Sequence, residues 1–257
     1  MSPQFDHQQK APRPGSGQDP PGSVGKRGRT ADECLLGPRA PDVPDFTDSD
    51  PWRVLRIQAE FVTGFETMAN LGPAVTIFGS ARSPESGPTY QAAVETARLL
   101  AREGLAIITG GGPGIMEAAN RGAQLGGGTS VGFAIELPFE QGTNPYLDVA
   151  ITFRYFFVRK TMFVKYAQAF VIFPGGFGTM DELFEALTLI QTGKIHDFPV
   201  ILYSSDYWGG LLEWLETTMA DRAKISSEDR ELFVVVDSPE GVRDALLAAM
   251  DLPAGPC

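Results

Sequence analysis

From residue 74 to residue 250, continuous apolar runs of strand length alternate with segments of helical periodicity, and few folds accept that pattern. The runs AVTIFGS (74–80), LAIITGGG (105–112), TSVGFAIEL (129–137), AFVIFPGG (169–176), FPVILYS (198–204) and LFVVVD (232–237) read as strands. Between and after them, 89–104, 115–127, 158–168, 179–193, 207–221 and 239–250 read as helices, and a longer loop follows 137. Strands that are apolar throughout must be covered on both faces, and helical crossovers return each strand parallel to the last. The expected fold is therefore α/β: a Rossmann-like, doubly wound parallel sheet with helices on both faces.

Ahead of this region, residues 1–48 are rich in Pro, Gly, Ser and charge, with too few apolar side chains to offset the entropy of ordering. They are expected to form a disordered leader on which the functional argument does not depend. The basic cluster Lys26, Arg27 and Arg29 in it reads as a solvated charge run. Residues 49–257 are expected to form one catalytic domain. It opens with a helix after Asp50-Pro51, whose apolar face is expected to comprise Trp52, Leu55, Phe61, Phe65 and Met68 and to pack on the domain or on another subunit.

The formal net charge of −11 argues against nucleic acid as a partner, because such binding draws on a basic surface. Any anionic ligand must meet positive charge locally. No run is long and apolar enough for a membrane span, no secretory h-region is visible, and Cys34 and Cys257 are not placed to form a disulfide or act as nucleophiles. The expected setting is the cytoplasm, with no membrane partner. The histidines are His7 and His196, which cluster with no other ligand type, so no metal is expected.

In an open doubly wound sheet, ligands collect beyond the carboxyl ends of the strands. Those ends hold Gly79-Ser80-Ala81-Arg82, the run Gly110-Gly111-Gly112-Pro113-Gly114, the segment 136–140 ending in Glu140, and Pro174-Gly175-Gly176-Phe177-Gly178-Thr179. The last run lets backbone approach a ligand and then opens a helix whose free N–H groups favour phosphate, with the Thr179 hydroxyl beside them. Each glycine run alone serves equally well as a tight turn; two on one sheet edge favour a ligand site. Neither GSARSPESG nor GGGPGIM has the spacing of a dinucleotide fingerprint, and no phosphate-binding loop of the triphosphatase kind occurs, which leaves a mononucleotide or sugar phosphate.

The stretch PGGFGTMDE at 174–182 matches the PGGxGTxxE signature of the LOG (Lonely Guy) phosphoribohydrolases, and Arg159-Lys160 matches their upstream Arg-Lys pair at the family's separation. The chain resembles this family over roughly residues 74–250, including GSAR, GGGPGIMEAAN and ELPFEQGTNPY, and the long leader is similar to that of the larger, type II branch. The resemblance implies hydrolysis of the N-glycosidic bond of adenosine or N6-substituted cytokinin nucleoside 5′-monophosphates, without a cofactor. It implies a homo-oligomer with active sites near the subunit interface. Arg159 and Glu182 become the catalytic pair, and Lys160, Glu140, Gly176, Phe177, Gly178, Thr179 and Thr188 contact substrate. Many members carry the older label lysine decarboxylase, but nothing in the sequence is recognisable as a pyridoxal-phosphate site.

Cleaving this bond develops positive charge on ribose and negative charge on the leaving base. Glu182 suits the first demand; its plainer reading is a first-turn acid complementing the helix dipole. Arg159 suits the second demand, or the phosphate, electrostatically, since a guanidinium holds its proton too tightly to be an ordinary acid. The aromatic stretch Phe153, Tyr155, Phe156 and Phe157 can flank a base, although core packing is the favoured reading, and Met162 is open between the two. The same fold also holds phosphorylated ligands without turnover, as in molybdenum-cofactor carriers, and a carrier or sensor is the rival expectation.

Overall fold

A computed structural model describes residues 30–37, 49–137 and 142–250. Glu140, His7, Cys257, the basic cluster and most of the expected leader lie outside these residues. Within the leader's span, however, α1 (Ala31–Leu36) is an ordered helix. Its start is fixed by a capping box: Glu33 N–H donates to the Thr30 hydroxyl at 3.3 Å, and Thr30 N–H donates to the Glu33 carboxylate at 2.8 Å. Ala31 and Leu35 pack against the domain core, so the expectation of a featureless tail fails for this segment.

The remaining helices are α2 (Asp50–Met68), α3 (Pro88–Arg102), α4 (Ile115–Gly126), α5 (Phe156–Tyr166), α6 (Phe177–Gln191), α7 (Ser205–Trp214) and α8 (Pro239–Met250). The strands are β1 (Ala74–Phe78), β2 (Ala106–Thr109), β3 (Ser130–Ile135), β4 (Val149–Phe153), β5 (Ala169–Ile172), β6 (Val200–Tyr203) and β7 (Val234–Val236). All seven pair in parallel in the order β4-β3-β2-β1-β5-β6-β7. The doubly wound fold expected from the sequence is the fold observed. Strand β4 falls inside what the sequence reads as loop. It is an edge strand with alternating exposure, and its order comes from pairing along β3, from Val131 opposite Val149 to Ile135 opposite Phe153. Helix α7 is also shorter than its periodicity suggests, because a π-helical turn takes over at Leu215–Ala220.

Two apolar layers sandwich the sheet, and β1 shows how. Ala74 and Phe78 face a layer with Phe133, Phe163, Phe170, Leu183 and Trp208, while Val75 and Ile77 face Tyr90, Leu100, Ile115, Val242 and Leu246 on the opposite side. The first layer is aromatic, with Phe78 edge-on to both Phe163 and Phe170 at centroid separations of 4.9 Å. The second is mainly aliphatic, with alanines where α3 and α4 meet. Gly122 of α4 lies so close to α3 that a Cβ there would stand 2.2 Å from the Val94 carbonyl oxygen.

Helix α2 corrects its predicted face. Of the five residues expected on one face packing on the domain or on another subunit, Phe61 and Met68 pack on the core, joined by Ile57 and Gly64, whereas Trp52, Leu55 and Phe65 are exposed together with Val54 and Val62. The helix is apolar over more than half its circumference, and the described residues cover only part of that arc.

Candidate active site

Strand order reverses between β1 and β5, and the loops after those strands diverge there into a crevice. Backbone hydrogen bonds tie three loops together at its floor. Ser80 N–H donates to the Pro174 carbonyl at 3.0 Å, and Ile115 N–H donates to the Ser80 carbonyl at 3.0 Å. The loops after β1, β2 and β5 therefore form one rigid rim.

One lobe of the crevice is lined by Ser80, Arg82, Thr89, the 174–180 run and Tyr207. Here α6 begins, with Gly176 as its N-cap and no side chain capping it, so the first N–H groups of the helix face the lobe. Gly175 is dictated by packing. A Cβ there would meet the Thr179 hydroxyl oxygen at 2.0 Å, and its carbonyl accepts a 2.6 Å hydrogen bond from the Tyr207 hydroxyl. Phe177 is 96% exposed, an expensive position for an aromatic side chain.

Gly79, Gly178 and Thr179 also border a second, more enclosed cavity of about 260 Å³. Its walls include Gly110, Gly111, Gly112, Met116, Ile135, Leu137 and Phe156, and among the described residues its ionisable lining groups are Arg159 and Glu182. Glu182 is 6% exposed, and its Oε2 has no hydrogen-bond partner among the described residues. Burial raises its pKa from 4.5 to about 7 against the counter-pull of Lys160 and Arg159, with Glu185 and Asp181 adding to the rise. Glu182 is the sixth residue of α6, beyond its first turn, and it is buried, so the reading of a solvent-exposed first-turn acid complementing the helix dipole does not hold.

Arg159 reaches the cavity from α5. Its Nε–H donates to the Phe133 carbonyl at 2.6 Å, Nη2 donates to the Gly110 carbonyl at 3.4 Å, and the guanidinium lies 5.0 Å from the Phe163 ring centroid. Burial lowers its pKa to about 10, partly opposed by Glu182, so it stays cationic at neutral pH. A Cβ on Gly110 would fall 2.5 Å from Arg159 Nη2 and 2.7 Å from Met116 Sδ. That glycine admits the arginine and methionine side chains, which is a packing reason for part of the glycine run.

The loop carrying Gly111 and Gly112 is held by a buried polar network. Gly111 N–H donates to the Thr109 hydroxyl, Thr109 and Asn144 Nδ2 both donate to Asn120 Oδ1, and Asn144 Nδ2 also donates to the Gly112 carbonyl. Asn120, Asn144 and Tyr207 were not singled out from sequence. Polar residues inside an apolar helical stripe, such as Asn120 in MEAANRGA, are the signal that finds them.

Of the sequence-predicted residues, Ser80, Arg82, Gly111, Gly112, Arg159, Gly175, Gly176, Phe177, Gly178, Thr179 and Glu182 line this cleft. Lys160 does not. Its ammonium is held by Glu185 at 2.6 Å and Asp181 at 2.9 Å, bridging α5 to α6. Thr188 lines a separate apolar cavity with Phe184, Leu187, Leu212 and Phe233, and its hydroxyl donates to the Phe184 carbonyl at 2.7 Å. From the aromatic stretch only Phe156 reaches the cleft; Phe153 and Tyr155 are 1% exposed core residues. Met162 is also core, packed so closely on Gly64 that a Cβ there would stand 2.8 Å from its methyl group.

Fold and crevice thus define a Rossmann-like α/β protein with a buried carboxyl and a buried guanidinium at its topological switch point. Residues 116–246 match the family model described as "Possible lysine decarboxylase". The cytokinin riboside 5′-monophosphate phosphoribohydrolase of Mycobacterium tuberculosis is 34% identical over 173 residues, which is 65% of this chain and 89% of that protein. LOG3 of Arabidopsis thaliana, a protein of the same name, is 32% identical across 61% of this chain and 73% of its own length. The chain belongs to this LOG phosphoribohydrolase family. Among solved structures, the molybdenum cofactor binding protein of Rippkaea orientalis superposes with a TM-score of 0.53 at 22% identity, over 69% of this chain and 97% of that one. The molybdenum cofactor carrier protein of Chlamydomonas reinhardtii gives 0.51 at 21%, over 69% and 98%. At such identities the likeness is one of fold.

Proposed function

We propose that this chain hydrolyses the N-glycosidic bond of a purine nucleoside 5′-monophosphate, adenosine monophosphate or an N6-substituted cytokinin nucleotide, releasing free base and ribose 5-phosphate. The observation that carries the reading is Glu182: a nearly buried carboxyl with an unpartnered oxygen, sharing a cavity with the cationic Arg159 beside an uncapped helix start. The names of the relatives supply the reaction class.

In this reading the phosphate sits at the start of α6 among the N–H groups of 177–179, the Thr179 and Ser80 hydroxyls and Arg82. Because it is remote from the bond that breaks, its binding energy holds the ribose in a reactive pose. The base lies in the closed cavity against Met116, Ile135, Leu137 and Phe156. Ionised Glu182 stabilises the cationic sugar and takes a proton from the attacking water, whose oxygen bonds to C1′ as the bond to the base nitrogen breaks. The electron pair leaves with the base, whose charge Arg159 stabilises electrostatically until the base nitrogen takes up a proton from solvent, and Glu182 returns to solvent the proton it took from water. Lys160 acts on the site through charge, drawing the Glu182 pKa down while it bridges Asp181 and Glu185.

Residues 49–257 act as one catalytic domain in this reading, within a homo-oligomer whose active sites lie near the subunit interface. The exposed Phe177 and Phe156 at the cleft, Phe157 beside them in sequence, and the outward apolar arc of α2 support assembly. Light scattering that gives a monomer at working concentration sinks that part.

The test is chromatography of free base from adenosine monophosphate and isopentenyladenosine monophosphate, with the dephosphorylated nucleosides and Glu182→Ala as controls. Base released from the monophosphates by the wild type alone is expected. Tight nucleotide binding without release of base overturns the enzymatic reading in favour of a carrier.

A further inference from the structure

The helix that delivers Arg159 has no cap of its own. At the start of α5, the N-cap Tyr155 offers no side-chain acceptor, so the amides of its first turn require partners from elsewhere. Two carboxylates from distant parts of the chain hold the entry to the helix, one on the first helical amide and one on the amide just ahead of the N-cap. Asp32 Oδ2, on α1, accepts the Phe156 N–H at 3.1 Å, and the Glu60 carboxylate, on α2, accepts the Arg154 N–H at 3.0 and 3.2 Å. Both negative charges lie at the positive end of the helix dipole, where each is favourable.

We propose that Asp32 of the leader is a positioning residue for the active site: it fixes the first turn of α5 and, through that turn, the guanidinium of Arg159 and the cavity wall at Phe156. Three observations converge on this. Helix α1 has a complete capping box, and Ala31 and Leu35 seat it on the core, so the carboxylate is delivered by an anchored element. Phe156, whose amide Asp32 holds, lines the cavity that contains Glu182. Arg159 lies three residues further on and takes its place from two backbone carbonyls, Phe133 within β3 and Gly110 just after β2. Its geometry therefore depends on where α5 begins, and a shift of the first turn moves the guanidinium off the Phe133 carbonyl.

The link to catalysis rests on the reading given under Proposed function; the structural link does not. Nuclear magnetic resonance on the full chain measures hydrogen exchange at the Phe156 amide and at Arg159 Nε–H in the wild type, Asp32→Ala, Asp32→Asn and Thr30→Ala. Thr30→Ala removes half of the α1 capping box without touching α5, and so gives a second route to the same loss. Loss of a cap is expected to speed exchange at Phe156 about tenfold. Exchange at Arg159 Nε–H rises with it, and Asp32→Asn restores both, since its amide oxygen accepts the same bond. In base-release kinetics kcat falls several-fold in Asp32→Ala while KM changes little, because Arg159 acts on the departing base. Unchanged exchange at Phe156, or faster exchange there with Arg159 Nε–H unaffected, overturns the proposal. A wild type that releases no base overturns the functional reading alone and leaves the exchange results to decide this one.

Discussion

Replacing Glu182 by glutamine is expected to stabilise the protein while abolishing turnover, and the gain should depend on pH in a way that few other substitutions reproduce. Burial lifts the Glu182 pKa from 4.5 in the unfolded chain to about 7 in the folded one. At about 1.4 kcal/mol per pH unit, that interval corresponds to roughly 3 kcal/mol of stability lost once the group is ionised in both states. The sign follows from proton counting. Between pH 4.5 and 7 the folded state binds more protons than the unfolded state, so stability falls as pH rises through this window and levels off above it. Glutamine does not titrate, and the other ionisable groups cancel between wild type and variant. Urea denaturation at pH 4.5 and pH 8 therefore gives two differences: a small one at low pH, set by the new buried amide, and one about 3 kcal/mol more favourable to the variant at pH 8. A difference that stays constant across this range refutes the argument that Glu182 is held out of water against its own ionisation. The same carboxyl predicts that kcat/KM of the wild type climbs with pH through about 7, because the ionised form is the one that meets the cationic sugar.

Arg159→Lys keeps the charge but loses the planar fork that satisfies the Phe133 and Gly110 carbonyls, and kcat should fall by about 10²-fold or more in steady-state assays, with little change in KM. Gly175→Ala drives a methyl group into the buried Thr179 side chain; a rise in KM for the monophosphate of about tenfold is expected, alongside a loss of about 1–3 kcal/mol of stability in denaturant titration. Phe170→Ala empties the middle of the aromatic layer at a fully buried position and should cost about 3–5 kcal/mol in denaturant titration, with no specific effect on substrate affinity in the protein that remains folded.

The glycine runs show how far a sequence carries a site. PGGFGT at 174–179 reads correctly as a turn into a helix, and the structure adds why Gly175 is glycine: the Thr179 hydroxyl occupies the space of its Cβ. In GGGPG the same residue type serves a purpose local reasoning does not reach, since Gly110 makes room for a side chain 49 residues away. Lys160 and Thr188 lay in the right motif and the right helix, yet neither faces the cleft. Two carboxylates one helical turn apart, Asp181 and Glu185, capture the lysine, and the exposed side of α6 carries the threonine toward α7. The capping box at Thr30-Ala31-Asp32-Glu33 was legible in the letters, but the Pro and Gly on either side of it masked a helix only six residues long.

What the sequence by itself determined is whatever depends on periodicity and local chemistry: six of the seven strands, the parallel doubly wound sheet, and the strand ends where a ligand gathers. Those features follow from which residues avoid water and which bend the backbone, and neighbours in the chain suffice to decide them. Tertiary structure alone decided the rest. It made a strand of 149–153 by pairing it with β3, turned the outer arc of α2 away from the core, lifted the Glu182 pKa by excluding water from its carboxyl, and brought Asp32 to the start of α5 across 124 residues. Burial, edge pairing and electrostatic coupling are properties of what lies nearby in space, and none of them is written in the spacing of residues along the chain.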